Sequence, residues 1–139
     1  MPRPIRWSLL PLVCLGGALG AGARYALTSA PSGDAASVFW ATAAVNVFGS
    51  LLLGVVAGAL GDWHPRWRAL LGPGVLGGFT TYSAFAVQIG SLPLPAADPR
   101  GTLVVLVAAL VLLAVAAASA MAGLVVGGRL VRPAKGAAG

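Results

Sequence analysis

The sequence contains few of the side chains that active sites and metal centres ordinarily use. Only three acidic residues are present, Asp34, Asp62 and Asp98, with one histidine, His64, and one cysteine, Cys14. A Cys/His zinc cluster, a carboxylate dyad and a disulfide framework therefore cannot be assembled from one chain. We expect a protein that is not an enzyme and whose chemistry is carried by neutral groups.

Charge is scarce as well, since 9% of the 139 residues are charged and 58% are hydrophobic. The mean hydropathy is +0.91, whereas about a quarter of the residues in a typical soluble domain are charged. A membrane-spanning helix needs about 20 largely apolar residues. The sequence therefore predicts an all-α membrane protein, a single transmembrane domain over residues 1–139 with spans at about 8–30, 36–60, 69–92 and 101–129.

The first apolar segment allows a second interpretation. Arg3 and Arg6 precede an apolar run that ends in Ala21-Gly22-Ala23, a pattern typical of a cleavable signal peptide. Cleavage would leave three spans. The segment continues past Arg24 as an apolar sequence, which favours a retained first span.

The basic residues are distributed unevenly between the two ends of a four-span bundle. A net charge of +6 could indicate nucleic-acid binding, but basic residues scattered around apolar spans are more typical of membrane orientation, so we expect no nucleic-acid partner. The side of the membrane that holds both termini has seven basic residues: Arg3, Arg6, Arg66, Arg68, Arg129, Arg132 and Lys135. The opposite side has two, Arg24 and Arg100. This bias predicts one orientation, with both termini cytoplasmic.

Glycine recurs at intervals that allow helices to approach closely. Such G-x-x-x-G pairs bring helix backbones together, within one chain or between chains. The pairs are Gly16 and Gly20, Gly54 and Gly58, and Gly123 and Gly127.

Polar residues inside the spans are the most informative, because hydrocarbon penalises an unsatisfied polar group. Asn46 stands alone in the second span, where it could serve simply as an interhelical hydrogen-bond partner. The third span contains Gly77–Phe85 (GGFTTYSAF). Paired glycines and threonines predict a break in this helix, where freed carbonyls would meet an ion, water or other protein.

Three motifs in order, Gly16–Tyr25, Thr42–Ser50 and Gly77–Phe85, resemble those of the Fluc or CrcB-type bacterial fluoride channels. Gly16–Tyr25 (GGALGAGARY) is similar to the family's G-G-x-x-G-x-x-x-R-[YW] signature. Thr42–Ser50 (TAAVNVFGS) is similar to its asparagine motif, and Gly77–Phe85 to its G-G-x-T-T-F-S-T-F break. The resemblance implies an antiparallel dimer with two narrow pores that conduct fluoride passively out of the cell across the bacterial cell membrane.

The resemblance also implies roles for individual residues. The backbone carbonyls of Gly77 and Thr80 would hold a structural sodium ion at the dimer interface. Permeating fluoride would meet Asn46 and the ring edges of Tyr82 and Phe85, since an aromatic edge is electropositive.

Three further residues have two interpretations each. Thr81 and Ser83 would donate hydroxyl hydrogen bonds to fluoride, or bond back to a carbonyl one turn earlier. Arg24 corresponds to an arginine near the pore entrance, where it would attract anions or anchor the structure.

The chain departs from the family pattern at two places. Tyr82 replaces a phenylalanine and Ala84 a threonine. The fourth span has no hydrogen-bonding side chain between Leu103 and Ala118, where family members often have several. Together with the orientation bias, these departures favour dimerisation with a homologous second chain of opposite orientation.

A non-conducting structural or partner subunit of a heterodimeric channel is the alternative function. A proton-coupled drug exporter would need an ionisable group inside the membrane, but all three aspartates lie in connections.

Overall fold

The computed structural model describes residues 7–29, 34–61, 64–90 and 99–131. All regular secondary structure within these ranges is helical. Among the described residues, four helical segments are long and apolar enough to cross a membrane: Trp7–Ser29, Ala36–Leu60, Pro65–Gln88 and Arg100–Val131. The prediction of an all-α protein with four spans is confirmed.

The first two spans are single α-helices. Helix α1 (Leu10–Ser29) follows one 3₁₀ turn, Trp7–Leu9. Helix α2 (Ala35–Leu60) begins after Asp34, whose side chain accepts a 2.6 Å hydrogen bond from the Ser37 N–H. This N-cap satisfies a backbone donor that has no partner within the helix.

The third span consists of several short helices. They are α3 (Pro65–Ala69), a π-helical segment (Leu70–Leu76), α4 (Gly77–Phe79) and α5 (Tyr82–Gly90). Helical structure thus begins four residues before the predicted start at 69, because proline is favourable in a first helical turn, where its missing N–H has no helical partner to lose. Pro73 lies inside the π-helical segment, where it cannot donate the usual backbone hydrogen bond. The fourth span is α6 (Pro99–Val131).

The glycine pairs bring helices of this chain into backbone contact. On α2, a Cβ atom added to Gly54 would overlap the Ala120 carbonyl of α6, and one added to Gly123 would overlap the Leu51 carbonyl of α2. Gly16 of α1 meets the backbone of the π-helical segment in the same way. Whether these pairs act within one chain or between chains was open from the sequence, and all three pairs form intrachain contacts.

Three described basic residues of the predicted cytoplasmic side lie at one end of the bundle. Arg66 and Arg68 lie in α3, and Arg68 Nη1 donates a 3.0 Å hydrogen bond to the Gly61 carbonyl at the end of α2. Arg129 follows Gly128, whose backbone approaches α2 near its end. Four further basic residues of the predicted cytoplasmic side lie outside the described ranges: Arg3, Arg6, Arg132 and Lys135.

Helix α6 buries very little of its surface within the chain. None of its most apolar stretch is buried, and exposed side chains include Leu106, Leu110 and Leu113. In a membrane such a surface faces lipid or another protein.

Candidate functional site

Helical structure stops between α4 and α5, at Thr80 and Thr81. Thr80 has an extended backbone, with φ −81° and ψ 147°. Its N–H donates to the Leu76 carbonyl at 3.0 Å, and its Oγ1 donates to the same carbonyl at 2.9 Å. Thr80 therefore closes the preceding turn with both of its donors.

Asn46 of α2 pairs with the backbone of Thr81 through two hydrogen bonds. The Thr81 N–H donates to Asn46 Oδ1 at 2.7 Å, and Asn46 Nδ2 donates to the Thr81 carbonyl at 2.8 Å. The interhelical hydrogen bonding that the sequence allowed for Asn46 is therefore present, as two hydrogen bonds to the same residue. A primary amide has two N–H donors, so one of them remains available beyond this pair.

The Thr81 side chain caps helix α5. Its Oγ1 accepts a 3.3 Å hydrogen bond from the Ala84 N–H and lies 3.3 Å from the Ser83 hydroxyl. A threonine that accepts from the third residue of the following helix is an N-cap. The alternative in which Thr81 and Ser83 bond back to an earlier carbonyl is replaced by this arrangement, and Thr80 makes that bond instead.

The carbonyls of Gly77 and Thr80 lose the donors that a continuous helix would supply. In an α-helix these would be the N–H groups of the residues four positions later. Here the Thr81 N–H donates to Asn46 and the Ala84 N–H donates to the Thr81 side chain. Neutral carbonyl oxygens released in this way are suited to a hard cation, so the residues fit the predicted sodium ligands.

Arg24 of α1 contacts the same segment from another side. Its Nε donates a 3.4 Å hydrogen bond to the Gly78 carbonyl, and the Gly78 backbone packs directly on Gly17. This contact supplies the anchoring interaction that the sequence allowed. A guanidinium has five N–H donors, so the bond leaves others free for different partners.

A cavity of about 160 Å³ lies between α2, the break and α6. Water-sized occupants need only about 10–15 Å³ on this measure, so several small species fit. Its polar lining residues are Asn46, Ser50, Thr81 and Tyr82. Its apolar lining residues are Ala43, Val47, Ala109, Leu112, Leu113 and Ala116, and the last four form the entire α6 wall.

Comparison with known proteins identifies the family. Residues 11–127 match a family described as CrcB-like protein, Camphor Resistance (CrcB). The chain belongs to the CrcB family. The resemblance found from three motifs is thereby confirmed, and with four spans this CrcB protein is a multi-pass membrane protein.

Several relatives carry names that describe a function. The fluoride-specific ion channel FluC of Erythrobacter litoralis is 50% identical over 86 residues, 55% of this chain and 63% of that protein. The fluoride-specific ion channel FluC 2 of Thermobifida fusca is 43% identical over 118 residues, 81% of this chain and 87% of that protein. FluC 1 of Rhodococcus jostii is 49% identical over 77 residues, 55% of this chain and 57% of that protein. The match thus spans less than two thirds of the first and third relatives. These names describe ion channels, which agrees with the expectation that the chain is not an enzyme.

The structure brings together only part of the predicted fluoride site. Asn46, Thr81 and Tyr82 line one cavity, and Tyr82 is 66% exposed. Ser83 is exposed and is not a lining residue, although its hydroxyl lies 3.3 Å from Thr81 Oγ1. Phe85 lies in α5, and its side chain falls outside the described part of the structure.

Sequence reasoning missed two polar positions on α2. Thr42 is 1% exposed, donates to the Val38 carbonyl and accepts a 2.9 Å hydrogen bond from Gln88 Nε2. Ser50 lines the cavity. Thr42, Asn46 and Ser50 lie four residues apart and therefore share one helix face. The four-residue spacing of these polar residues could have identified Thr42 and Ser50 from the sequence.

Proposed function

We propose that this CrcB protein is a fluoride-selective channel that lets fluoride leave the cell passively. The observation that carries the proposal is the pairing of Asn46 with Thr81 beside a cavity whose polar lining is entirely neutral. Neutral donors hold an anion weakly enough for it to leave again, as conduction requires. The relatives' names support fluoride as the permeating ion.

Asn46 and Tyr82 are the groups that fluoride would meet in the cavity. The remaining Asn46 N–H supplies one donor, and the Tyr82 ring edge and hydroxyl supply others. Phe85 would present a second ring edge, and the hydroxyls of Thr81 and Ser83 would extend the path. No group with a full positive charge lines the cavity among the described residues.

The membrane potential supplies the driving force in this proposal. Hydrogen fluoride crosses the bacterial membrane as a neutral acid and dissociates in the less acidic cytoplasm. A potential of 100 mV then favours anion exit by about 2.3 kcal/mol per charge. Export therefore needs no fuel.

A structural sodium ion at the break is part of the proposal. The Gly77 and Thr80 carbonyls would hold it, because their usual N–H donors are engaged elsewhere. A bound cation supplies local positive charge that favours a nearby anion. Asn46 and the Thr81 hydroxyl keep these carbonyls free of helical hydrogen bonds, whether or not the ion is bound.

Arg24 acts as an anchor in this proposal, through its bond to the Gly78 carbonyl. Arg24→Gln keeps a neutral donor and removes the charge, so anchoring alone predicts fluoride flux close to that of the wild type. A fall in flux that grows at low ionic strength would instead indicate electrostatic attraction of anions.

An antiparallel dimer with a homologous chain of opposite orientation completes the channel. Seven basic residues against two favour a single orientation with both termini cytoplasmic. The exposed apolar surface of α6 leaves room for a partner. The numbered names FluC 1 and FluC 2 among the relatives agree with a two-chain arrangement.

A non-conducting partner subunit is the second candidate function. The specific observation in its favour is the apolar α6 wall, in which Ala109, Leu112, Leu113 and Ala116 offer no hydrogen bond. In this case the chain would support a pore formed mainly by groups of the second chain.

Flux from liposomes tests both candidates. Protein reconstituted with a homologous chain of opposite charge bias should release fluoride far faster than chloride under a potassium and valinomycin potential. Equal release of the two anions would contradict selectivity. Loss of all flux when only the second chain's pore is disabled would support the partner-subunit function.

A reporter fused after Gly139 tests the orientation. We expect its signal almost exclusively from the cytoplasm, and little fluoride efflux from the chain expressed alone. Comparable signals from both sides would contradict a fixed orientation and favour a homodimer.

A further inference from the structure

Ser50 differs from three other hydroxyl residues of the described helices. Thr28, Thr42 and Ser119 each donate to the carbonyl four residues earlier in their own helix, at 2.8–2.9 Å. Such back-bonding is the usual way to satisfy a hydroxyl in a membrane helix. The Ser50 hydroxyl makes no hydrogen bond with any residue in the described part of the chain, although it lies in the wall of the cavity.

Ser50 lies at one end of the row of polar residues that α2 presents, after Thr42 and Asn46. It follows Asn46 by four residues, about 6 Å along the helix. One turn further, the backbone at Gly54 is closed against the Ala120 carbonyl of α6. The α6 residues that line the cavity are all apolar. Among the lining residues of α2 and α6, Ser50 is therefore the last side-chain donor before the contact between Gly54 and α6.

We propose that Ser50 donates a hydrogen bond to fluoride and forms a second anion position, one helical turn from Asn46. The inference rests on the proposed function and extends it to a residue outside the predicted site. A hydroxyl without a hydrogen-bond partner in hydrocarbon costs free energy. Fluoride is a strong hydrogen-bond acceptor and would satisfy this hydroxyl. A step of about 6 Å lets Ser50 take up the ion as Asn46 releases it. In this role Ser50 supplies a hydroxyl that α6 does not.

Three variants test the role of Ser50, in a complex whose second chain has a disabled pore. Ser50→Ala deletes the hydroxyl with almost no change in volume, and we expect fluoride flux to fall about tenfold, as for loss of one hydrogen bond to an anion. Ser50→Thr keeps the hydroxyl and should stay within about twofold of the wild type. Ser119→Ala is the matched control, because that hydroxyl donates to its own helix, and its flux should not change.

The outcomes separate this inference from the proposed function. A wild-type complex that conducts fluoride together with a Ser50→Ala complex of equal flux would overturn the role of Ser50 and leave the channel function standing. A wild-type complex that conducts no fluoride would overturn both.

A cysteine variant gives a second measurement that a failure of the complex to assemble cannot imitate. In a Cys14→Ala background, Ser50→Cys should react with a water-soluble thiol reagent in the assembled complex, and the reaction should block flux. Fluoride at high concentration should slow the reaction severalfold. An unreactive cysteine, or a reaction rate insensitive to fluoride, would contradict an anion position at Ser50.

Discussion

The two walls of the cavity are built on different principles. The wall formed by α2 and the break contains Asn46, Ser50, Thr81 and Tyr82, whereas the α6 wall contains only alanine and leucine. Yet α6 makes the closest backbone contacts with α2, through Gly54, Gly58, Gly123 and Gly127. The wall of α2 and the break therefore carries the polar groups, whereas α6 is held against α2 by glycine contacts that lie outside the cavity lining.

This division explains how a chain with so few polar residues builds a polar site. The break alone would leave backbone groups unsatisfied in hydrocarbon, each at a cost of several kcal/mol. Asn46 satisfies two of these groups, and the Thr81 hydroxyl satisfies a third. The same side chains that stabilise the break thus line the cavity.

The largest expected effect comes from removing the key group of the polar wall. Asn46→Leu leaves the Thr81 N–H and carbonyl without partners and deletes the donor to fluoride, so flux should fall about 100-fold. Val47→Leu is the matched control, since Val47 lines the same cavity without a hydrogen bond. Fluoride release from liposomes measures both, and wild-type flux in Asn46→Leu would return Asn46 to a purely structural role.

A substitution at the contact between α2 and α6 should lower the stability of the protein. A Cβ atom at Gly123 would overlap the Leu51 carbonyl and lie 2.9 Å from the Val55 nitrogen. We therefore expect Gly123→Ala to lower the free energy of unfolding by about 1–3 kcal/mol. Gly128→Ala lies on the same helix, where a Cβ atom meets nothing within 4 Å, and should be neutral. Equal denaturation midpoints in detergent would contradict the packing role of α6.

Removing the cap of α5 should have a smaller effect. Thr81→Val deletes the acceptor of the Ala84 N–H and should destabilise the start of α5 by about 1 kcal/mol. Thr81→Ser keeps the acceptor and serves as the control. Hydrogen exchange at the Ala84 amide should accelerate only in Thr81→Val, and unchanged exchange would mean that the cap contributes little.

The smallest expected effect sharpens the contrast by adding polarity to the apolar wall. Ala116→Ser places a hydroxyl on α6 within the cavity and should raise fluoride flux roughly twofold, because it adds a donor to the path. Ala117→Ser is exposed and outside the cavity lining, so its flux should not change. A lower flux in Ala116→Ser would show that an apolar α6 wall favours conduction.

Local sequence features predicted the four spans and singled out Asn46 and Thr81, which the structure brings together. Apolar runs of sufficient length identified the four segments that could cross a membrane, and Thr80 and Thr81, between α4 and α5, lie within the Gly77–Phe85 motif. The start of the third span at Pro65 and the π-helical segment around Pro73 were not predicted. Both depend on how the backbone compensates for proline beside closely packed neighbours.

By itself, the sequence determined which segments enter the membrane, because transfer into hydrocarbon depends on composition and length alone. It also determined that any site must use neutral donors, since the chain has so few ionisable groups. Only the tertiary structure decided which donors meet. Asn46 and Thr81 are separated by 35 positions, and they meet because α2 packs against the break in the third span. Ser50 lies beside the cavity and Ser83 outside its lining, a difference that comes from helix packing and cannot be read from spacing along the chain.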